Sequence, residues 1–369
     1  MNLSPALSQS TRVFAVFMTI STISHLVCSS DYRAIADDAL KDEDNAAWVM
    51  ELEPPIRDAW IERIGWIRLA DRLAENELLE SASSEFQRFH NNWKWMMATG
   101  QVQPGCGHRK EFCRMRDRWF AHPSDSVSRL SIQSWDHYLT AIDDYHQDHL
   151  TIEHMADFET MLRELAGSFF QMLPFLEPHQ WQAVGSFGAV DQFYNILRDL
   201  REDAEQGICY LPTELLDRFK VSRAEILELR ACDNPGYRPM MEFWIHDYLP
   251  QLERKSYPFI LAPDLHPSWQ MLRDWSLNRY QRIQRIFRRC DYDYVQFPEL
   301  YWQEVKRDLV LMLPGLYGQQ LQGERDSIPM SYLARTNKLF QIAQLKMPPE
   351  VKFKQVPFSR FFRSLQQVS

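Results

Sequence analysis

Gln192-Phe193-Tyr194-Asn195-Ile196-Leu197-Arg198-Asp199-Leu200-Arg201-Glu202-Asp203, followed by Ala204-Glu205-Gln206-Gly207-Ile208-Cys209-Tyr210-Leu211-Pro212, is the most informative stretch of the chain. On a helix, residues three or four apart share a face, so Gln192, Asn195, Asp199 and Asp203 form one polar stripe with two carboxylates a turn apart. Such a stripe suits Mg²⁺, a hard cation held by one or two carboxylates together with substrate phosphate oxygens. The substrate would then bring a diphosphate. Bare Asp-x-x-x-Asp spacing equally describes a solvated helix face, here laced with Arg198, Arg201, Glu202 and Glu205 in weakly stabilising i,i+4 pairs. The residues around the two aspartates decide between these readings.

Those residues resemble the second aspartate-rich motif of the squalene/phytoene synthase family, Gln-x-x-Asn-Ile-Leu-Arg-Asp-x-x-Glu-Asp, then Gly and Tyr-Leu-Pro. The match runs through the helix and into its exit turn, which makes it far more specific than two spaced acids. The resemblance implies an all-α, isoprenoid-synthase-type helical bundle around a central apolar cavity.

If two diphosphates are to leave, a second carboxylate pair must face the first, because each leaving group needs its own charge neutralisation. Leu52-Glu53-Pro54-Pro55 and the helix that follows, through Arg68-Leu69-Ala70-Asp71-Arg72-Leu73-Ala74-Glu75, resemble the family's first motif, Cys-Arg-x-x-Asp-Asp-x-x-Asp after a Pro-Pro loop. Arg68 matches the family arginine and Asp71 the first metal-binding aspartate. Glu75 replaces a later aspartate and keeps an oxygen ligand one turn from Asp71. Arg72 replaces the neighbouring aspartate, so this motif is divergent. The acidic cluster of Asp37, Asp38 and Asp42 lies too far upstream to be the motif and reads as exposed helix.

The resemblance is incomplete in two further places. The family carries Ser-x-Ser-Phe before the first motif, where this chain reads Asp42-Glu43-Asp44-Asn45, whose charges would repel phosphate. The family's Tyr-x-x-x-Val-Ala-Gly-x-Val-Gly is here Met161 to Phe170, retaining Ala166-Gly167 but placing Phe170 where the last glycine opens the channel. Near Asn278-Arg279-Tyr280, Tyr280 matches the tyrosine of the family's closing Arg-x-Tyr-x-x-Ile helix, with the arginine displaced by one position. The likeness covers about Asp31 to Tyr294.

Composition supports a helical, soluble-type chain. Among 369 residues, 45% are hydrophobic and 25% charged, which excludes disorder over most of the length. Only 12 glycines occur, well below the usual ~7%, favouring long helices over a turn-rich β fold. The net charge of −9 gives no general affinity for nucleic acid. The six cysteines are too sparse for a disulfide framework and read as reduced thiols, and Cys106, His108 and Cys113 fit no standard zinc spacing.

The expected organisation is an apolar leader over 1–30, a synthase-like helical domain over 31–296 and a C-terminal extension over 297–369. The leader is shorter and more polar than a spanning helix needs and reads as a disordered or loosely membrane-associating segment. The extension ends in a tail of Lys352, Lys354, Arg360 and Arg363 among Phe353, Phe358, Phe361 and Phe362, a composition that suits an anionic membrane surface or a tail folded on the domain. Within the domain, Trp60, Ile64 and Ile67, and Phe158, Leu162, Leu165 and Phe169, recur at helical spacing. A helix is expected from about Ile56 to Leu79, the stretch Thr99 to Gly107 separates two more, and Ser256 to Pro267 reads as a connection. His146 and His149, beside Asp143 and Asp144, read as a wet helix face.

What the resemblance implies is Mg²⁺-dependent head-to-head condensation of two prenyl diphosphates, farnesyl or geranylgeranyl, in isoprenoid, carotenoid or hopanoid biosynthesis. Asp71, Glu75, Asp199 and Asp203 would be the metal ligands. Arg68 and Arg198 would steady the departing charge, and Gln192, Asn195, Tyr280 and Phe170 would contact substrate. NADPH is left open, because the squalene-forming branch uses it without a Gly-x-Gly-x-x-Gly turn. The expected location is cytoplasmic, with peripheral membrane contact through the tail. A second reading, a non-catalytic prenyl-lipid-binding or assembly protein, draws on the altered first motif and the missing Ser-x-Ser-Phe.

Overall fold

A computed structural model describes residues 48–49, 52–79, 84–122, 124–147 and 150–312. The leader, Asp37, Asp38 and Asp42 to Asn45, His149 and the basic tail lie outside the described residues. The chain forms two compact units, the first ending at Asp308 and the second beginning at Leu309. Residues 297–308 therefore belong to the first unit.

The described residues form helices and no strand. In order they are α1 (Pro54–Leu79), α2 (Glu85–Thr99), α3 (Arg109–Met115), α4 (Ser126–Tyr145), α5 (Met155–Leu162), α6 (Trp181–Glu205), α7 (Thr213–Phe219), α8 (Arg223–Leu227), α9 (Tyr237–Phe243), α10 (Leu249–Ile260), α11 (Pro267–Arg289) and α12 (Phe297–Met312). The fold is all-α, as the sequence implies. Helix α1 begins on the two prolines because the first-turn N–H groups have no intrahelical partner to lose. Asp125 starts α4 by accepting the Ser128 N–H at 2.8 Å, a cap worth about 1 kcal/mol. Gly100 ends α2 in the left-handed region at φ 68°, donating its N–H to the Met96 carbonyl.

The connection expected over Ser256–Pro267 is shorter than that. Ser256 and Pro258 both lie inside α10, and only residues 261–266 link it to α11. A helix-interior proline costs about 3 kcal/mol. Phe259 offsets this by burying itself completely against Phe187 and Trp269, at centroid distances of 5.0 and 5.4 Å.

Helix α6 lies against α5, α10 and α11 and buries Val184, Phe187, Val190, Phe193, Leu197 and Leu200. Its approach to α5 is set by a register shift. After Leu162 the chain makes a π turn, Arg163–Gly167, before resuming as Ser168–Gln171. The extra residue in that turn moves the buried stripe from the expected Leu165 and Phe169 to Ala166 and Phe170. Small residues then face α6. A Cβ on Gly188 would stand 2.4 Å from the Ala166 carbonyl oxygen, and one on Gly167 would stand 2.9 Å from the Gly185 oxygen. No side chain fits at either position without moving backbone.

Gly188→Ala is therefore expected to lower stability by about 1–3 kcal/mol through overpacking. Gly185→Ala, whose new methyl meets only the movable end of Gln171, is expected to cost less. Urea denaturation of the two variants checks the order.

Candidate active site

Helix α6 delivers the polar stripe and then reverses. Gly207, at φ 79°, takes the left-handed conformation that a side chain disfavours, while the Ile208 N–H bonds to the Asp203 carbonyl at 2.8 Å and the Gly207 N–H to Ala204 at 3.0 Å. These two bonds form a Schellman turn. The turn folds Tyr210 back towards the carboxylates that precede it. Burial pushes the Tyr210 phenol above its ordinary range, and the negative charges of Asp203, Glu75 and Asp199 act in the same direction. One phenol is thus within electrostatic range of both acidic motifs, Glu75 from α1 and the two aspartates from α6.

Asp199 is partly exposed and holds Arg198 in a forked pair, with Nε to Oδ1 and Nη2 to Oδ2 both at 2.7 Å. Arg198 therefore stands beside the carboxylate that follows it in sequence. Asp203 and Gln192 are half-buried.

On α1, Arg68, Asp71 and Arg72 are half-buried and Glu75 is exposed. Asp71 Oδ1 accepts a hydrogen bond from the buried Tyr138 hydroxyl on α4. Burial raises the Tyr138 pKa well above the ordinary phenol value, and the Asp71 charge adds to it; Glu75 also raises it while Arg68 opposes. His146, two turns beyond Tyr138, does not form the wet face expected of it. Its Nδ1 is buried without a hydrogen-bond partner, and desolvation lowers its pKa against the opposing pull of Asp71. Nothing in the sequence near residues 138 or 146 signals these neighbours, because they are joined to Asp71 only by tertiary packing. Tyr210, in contrast, stands inside the quoted exit turn.

The remaining predicted residues lie deeper. Asn195 Oδ1 accepts from Arg279 Nη1 at 2.7 Å, and its amide donates to Asp191 Oδ2 at 3.4 Å. Arg279 Nη2 and the Tyr280 hydroxyl both donate to Asp191 Oδ1, and the Tyr280 ring stacks on Tyr194 at 4.1 Å. Tyr280 and Asn195 thus belong to a buried clamp between α6 and α11. Phe170 is 3% exposed and packs on Phe169, Phe187 and Trp269. The sequence names Arg279 only as a displaced arginine with no partner, and gives no sign of Asp191, one residue before the quoted stretch.

Hard oxygens are the only donors the two motifs offer, which suits Mg²⁺. Among the described residues no group of three or more His, Cys, Asp or Glu could hold an ion alone. Cys106, Cys113, Cys209, Cys232 and Cys290 are free thiols. Among the described residues no helix is long and apolar enough to cross a membrane.

The pattern of the squalene/phytoene synthase family matches residues 39–304. The chain belongs to the squalene/phytoene synthase family. A 15-cis-phytoene synthase of Synechococcus elongatus is 32% identical over 124 residues, 32% of this chain and 37% of that protein. Another from Synechocystis sp. is 40% identical over 60 residues, 16% of this chain and 17% of that protein. The matched segments thus span well under half the length of these relatives. Among solved structures, a dehydrosqualene synthase in complex with ligand superposes with a TM-score of 0.54 at 17% identity, covering 79% of this chain and 97% of that one. Squalene synthase HpnC from Alicyclobacillus acidocaldarius superposes at 0.51 with 15% identity, covering 73% and 99%. These two establish that this family member has the isoprenoid-synthase helical fold.

Removing one partner of the buried Asp191–Arg279 pair leaves the other charge without its counterion. Arg279→Met is expected to cost about 3–5 kcal/mol, read as a fall in the denaturant midpoint.

Proposed function

We propose that this synthase-like protein condenses two prenyl diphosphates head to head in a Mg²⁺-dependent reaction of isoprenoid or carotenoid biosynthesis. The observation that supports this reading best is the Tyr210 phenol, which feels Glu75 together with Asp199 and Asp203. Two acidic motifs far apart in sequence thus act on one phenol, which supports a site with a carboxylate pair for each diphosphate.

Asp199 and Asp203 would hold the cation at one diphosphate and Asp71 and Glu75 at the other. Held by these carboxylates, Mg²⁺ would supply positive charge to offset that of the departing diphosphate. Arg198, fixed beside Asp199, and Arg68, near Asp71, add positive charge at the same two places. The C1–O bond of one substrate breaks with its electron pair on diphosphate, leaving an allylic cation. The double bond of the second substrate attacks that cation, and loss of a proton closes a cyclopropane. Apolar walls exclude water from the cation, and aromatic faces such as Phe169 stabilise it. Gln192 completes the α6 stripe as a neutral hydrogen-bonding group for substrate.

Packing at Phe170 favours a second reading, a prenyl-lipid-binding protein without turnover. Its ring fills space among Phe187 and Trp269 where the family's glycine opens a channel. Incubation with farnesyl or geranylgeranyl diphosphate and Mg²⁺ separates the two. The condensation predicts diphosphate release and a hydrocarbon or cyclopropyl product by mass, and parallel reactions with NADPH show whether reduction follows. Asp199→Ala is expected to lower the release rate by about 100-fold or more. Binding of the lipid diphosphate without release, in wild type and variant alike, would support the second reading.

A further inference from the structure

Both acidic motifs have a buried or half-buried tyrosine within reach, but the two tyrosines differ in origin. Tyr210 belongs to the exit turn of α6. Tyr138 stands on α4 and is the hydrogen-bond donor to Asp71 Oδ1, with Arg68 and Glu75 also acting on its phenol. It meets the first motif where that motif departs most from the family pattern, with Arg72 beside Asp71 and the longer Glu75 one turn on.

We propose that Tyr138 is a positioning residue for metal binding, holding the Asp71 carboxylate in the orientation that ligates the cation. The inference rests on the reading of Asp71 as a metal ligand. A carboxylate turns freely about its last torsion, and a fixed donor selects one orientation. It does so without removing the ligand, because each carboxylate has about four acceptor sites. The donor here is held firmly. Tyr138 is 4% exposed, its ring lies 5.7 Å from Trp135 and 6.5 Å from Phe169, and its helix is capped by Asp125. Hydrogen bonds of this kind to metal-ligating groups typically govern metal affinity by about 10–100-fold. The first motif, having exchanged an aspartate for an arginine, depends on such support more than a motif with two adjacent aspartates.

Binding of Mn²⁺ as a paramagnetic probe, in the presence of farnesyl thiodiphosphate and without turnover, tests this. Tyr138→Phe keeps the ring, and is expected to weaken Mn²⁺ binding about 10–100-fold. In an Asp71→Ala background the same change is expected to add nothing, because the tyrosine acts through that carboxylate. Tyr145→Phe, which removes a phenol bonded to Glu164 on the surface, serves as the control and is expected to leave binding unchanged. Unchanged binding in Tyr138→Phe, or an equal loss with and without Asp71, overturns the positioning role while leaving the condensation intact. Wild-type protein that binds no Mn²⁺ with the thiodiphosphate overturns the proposed function and this inference together.

Discussion

The contact of backbone on backbone where the end of α5 crosses α6 governs the rest of the structure. Ala166 and Gly167 lie so near Gly185 and Gly188 that a methyl group at Gly188 would overlap a carbonyl. That closeness fixes the position of α6, and α6 carries Asp199, Asp203, Arg198 and the buried Asp191. The crossing lies within the π turn, which brings Ala166 rather than Leu165 to the interface. Its extra residue exchanges a large side chain for a small one where two helices must touch.

From that fixed helix two kinds of polar group project. Asp191 turns inward and joins Arg279, Asn195 and Tyr280 in a clamp on α11. Such a buried charge pair is poor evidence of stability in itself, because desolvation of both ions opposes their attraction. What it does is tie α6 to α11 at two adjacent turns, through Asp191 and Asn195. Further along α6, Asp199 and Asp203 act together with Glu75 on the Tyr210 phenol.

Much of this was legible in the sequence wherever the information is local. The helix boundaries of α1, the Gly207 turn and the acidic stripe on α6 follow from periodicity and turn chemistry acting over a few residues. Phe170 was singled out as a substituted glycine, and its ring does fill space between helices. What escaped was tertiary. The pairing of Tyr138 with Asp71 spans 67 residues, and that of Arg279 with Asp191 spans 88, with no periodic signal linking either. The shift of the buried stripe to Phe170 depends on a π turn that 3.6-residue periodicity does not anticipate. The connection expected over Ser256 to Pro267 is shortened because α10 runs on through Pro258, with Phe259 buried against its neighbours.

The central claim is that Asp71 and Glu75 from α1 hold a cation at one diphosphate while Asp199 and Asp203 from α6 hold one at the other. Anomalous diffraction from a crystal grown with Mn²⁺ and farnesyl thiodiphosphate locates the ions directly. The account predicts manganese within ligating distance of the carboxylates on each of the two helices, with a thiodiphosphate at each. Manganese bound to only one helix, or absent while the thiodiphosphate is present, would contradict it.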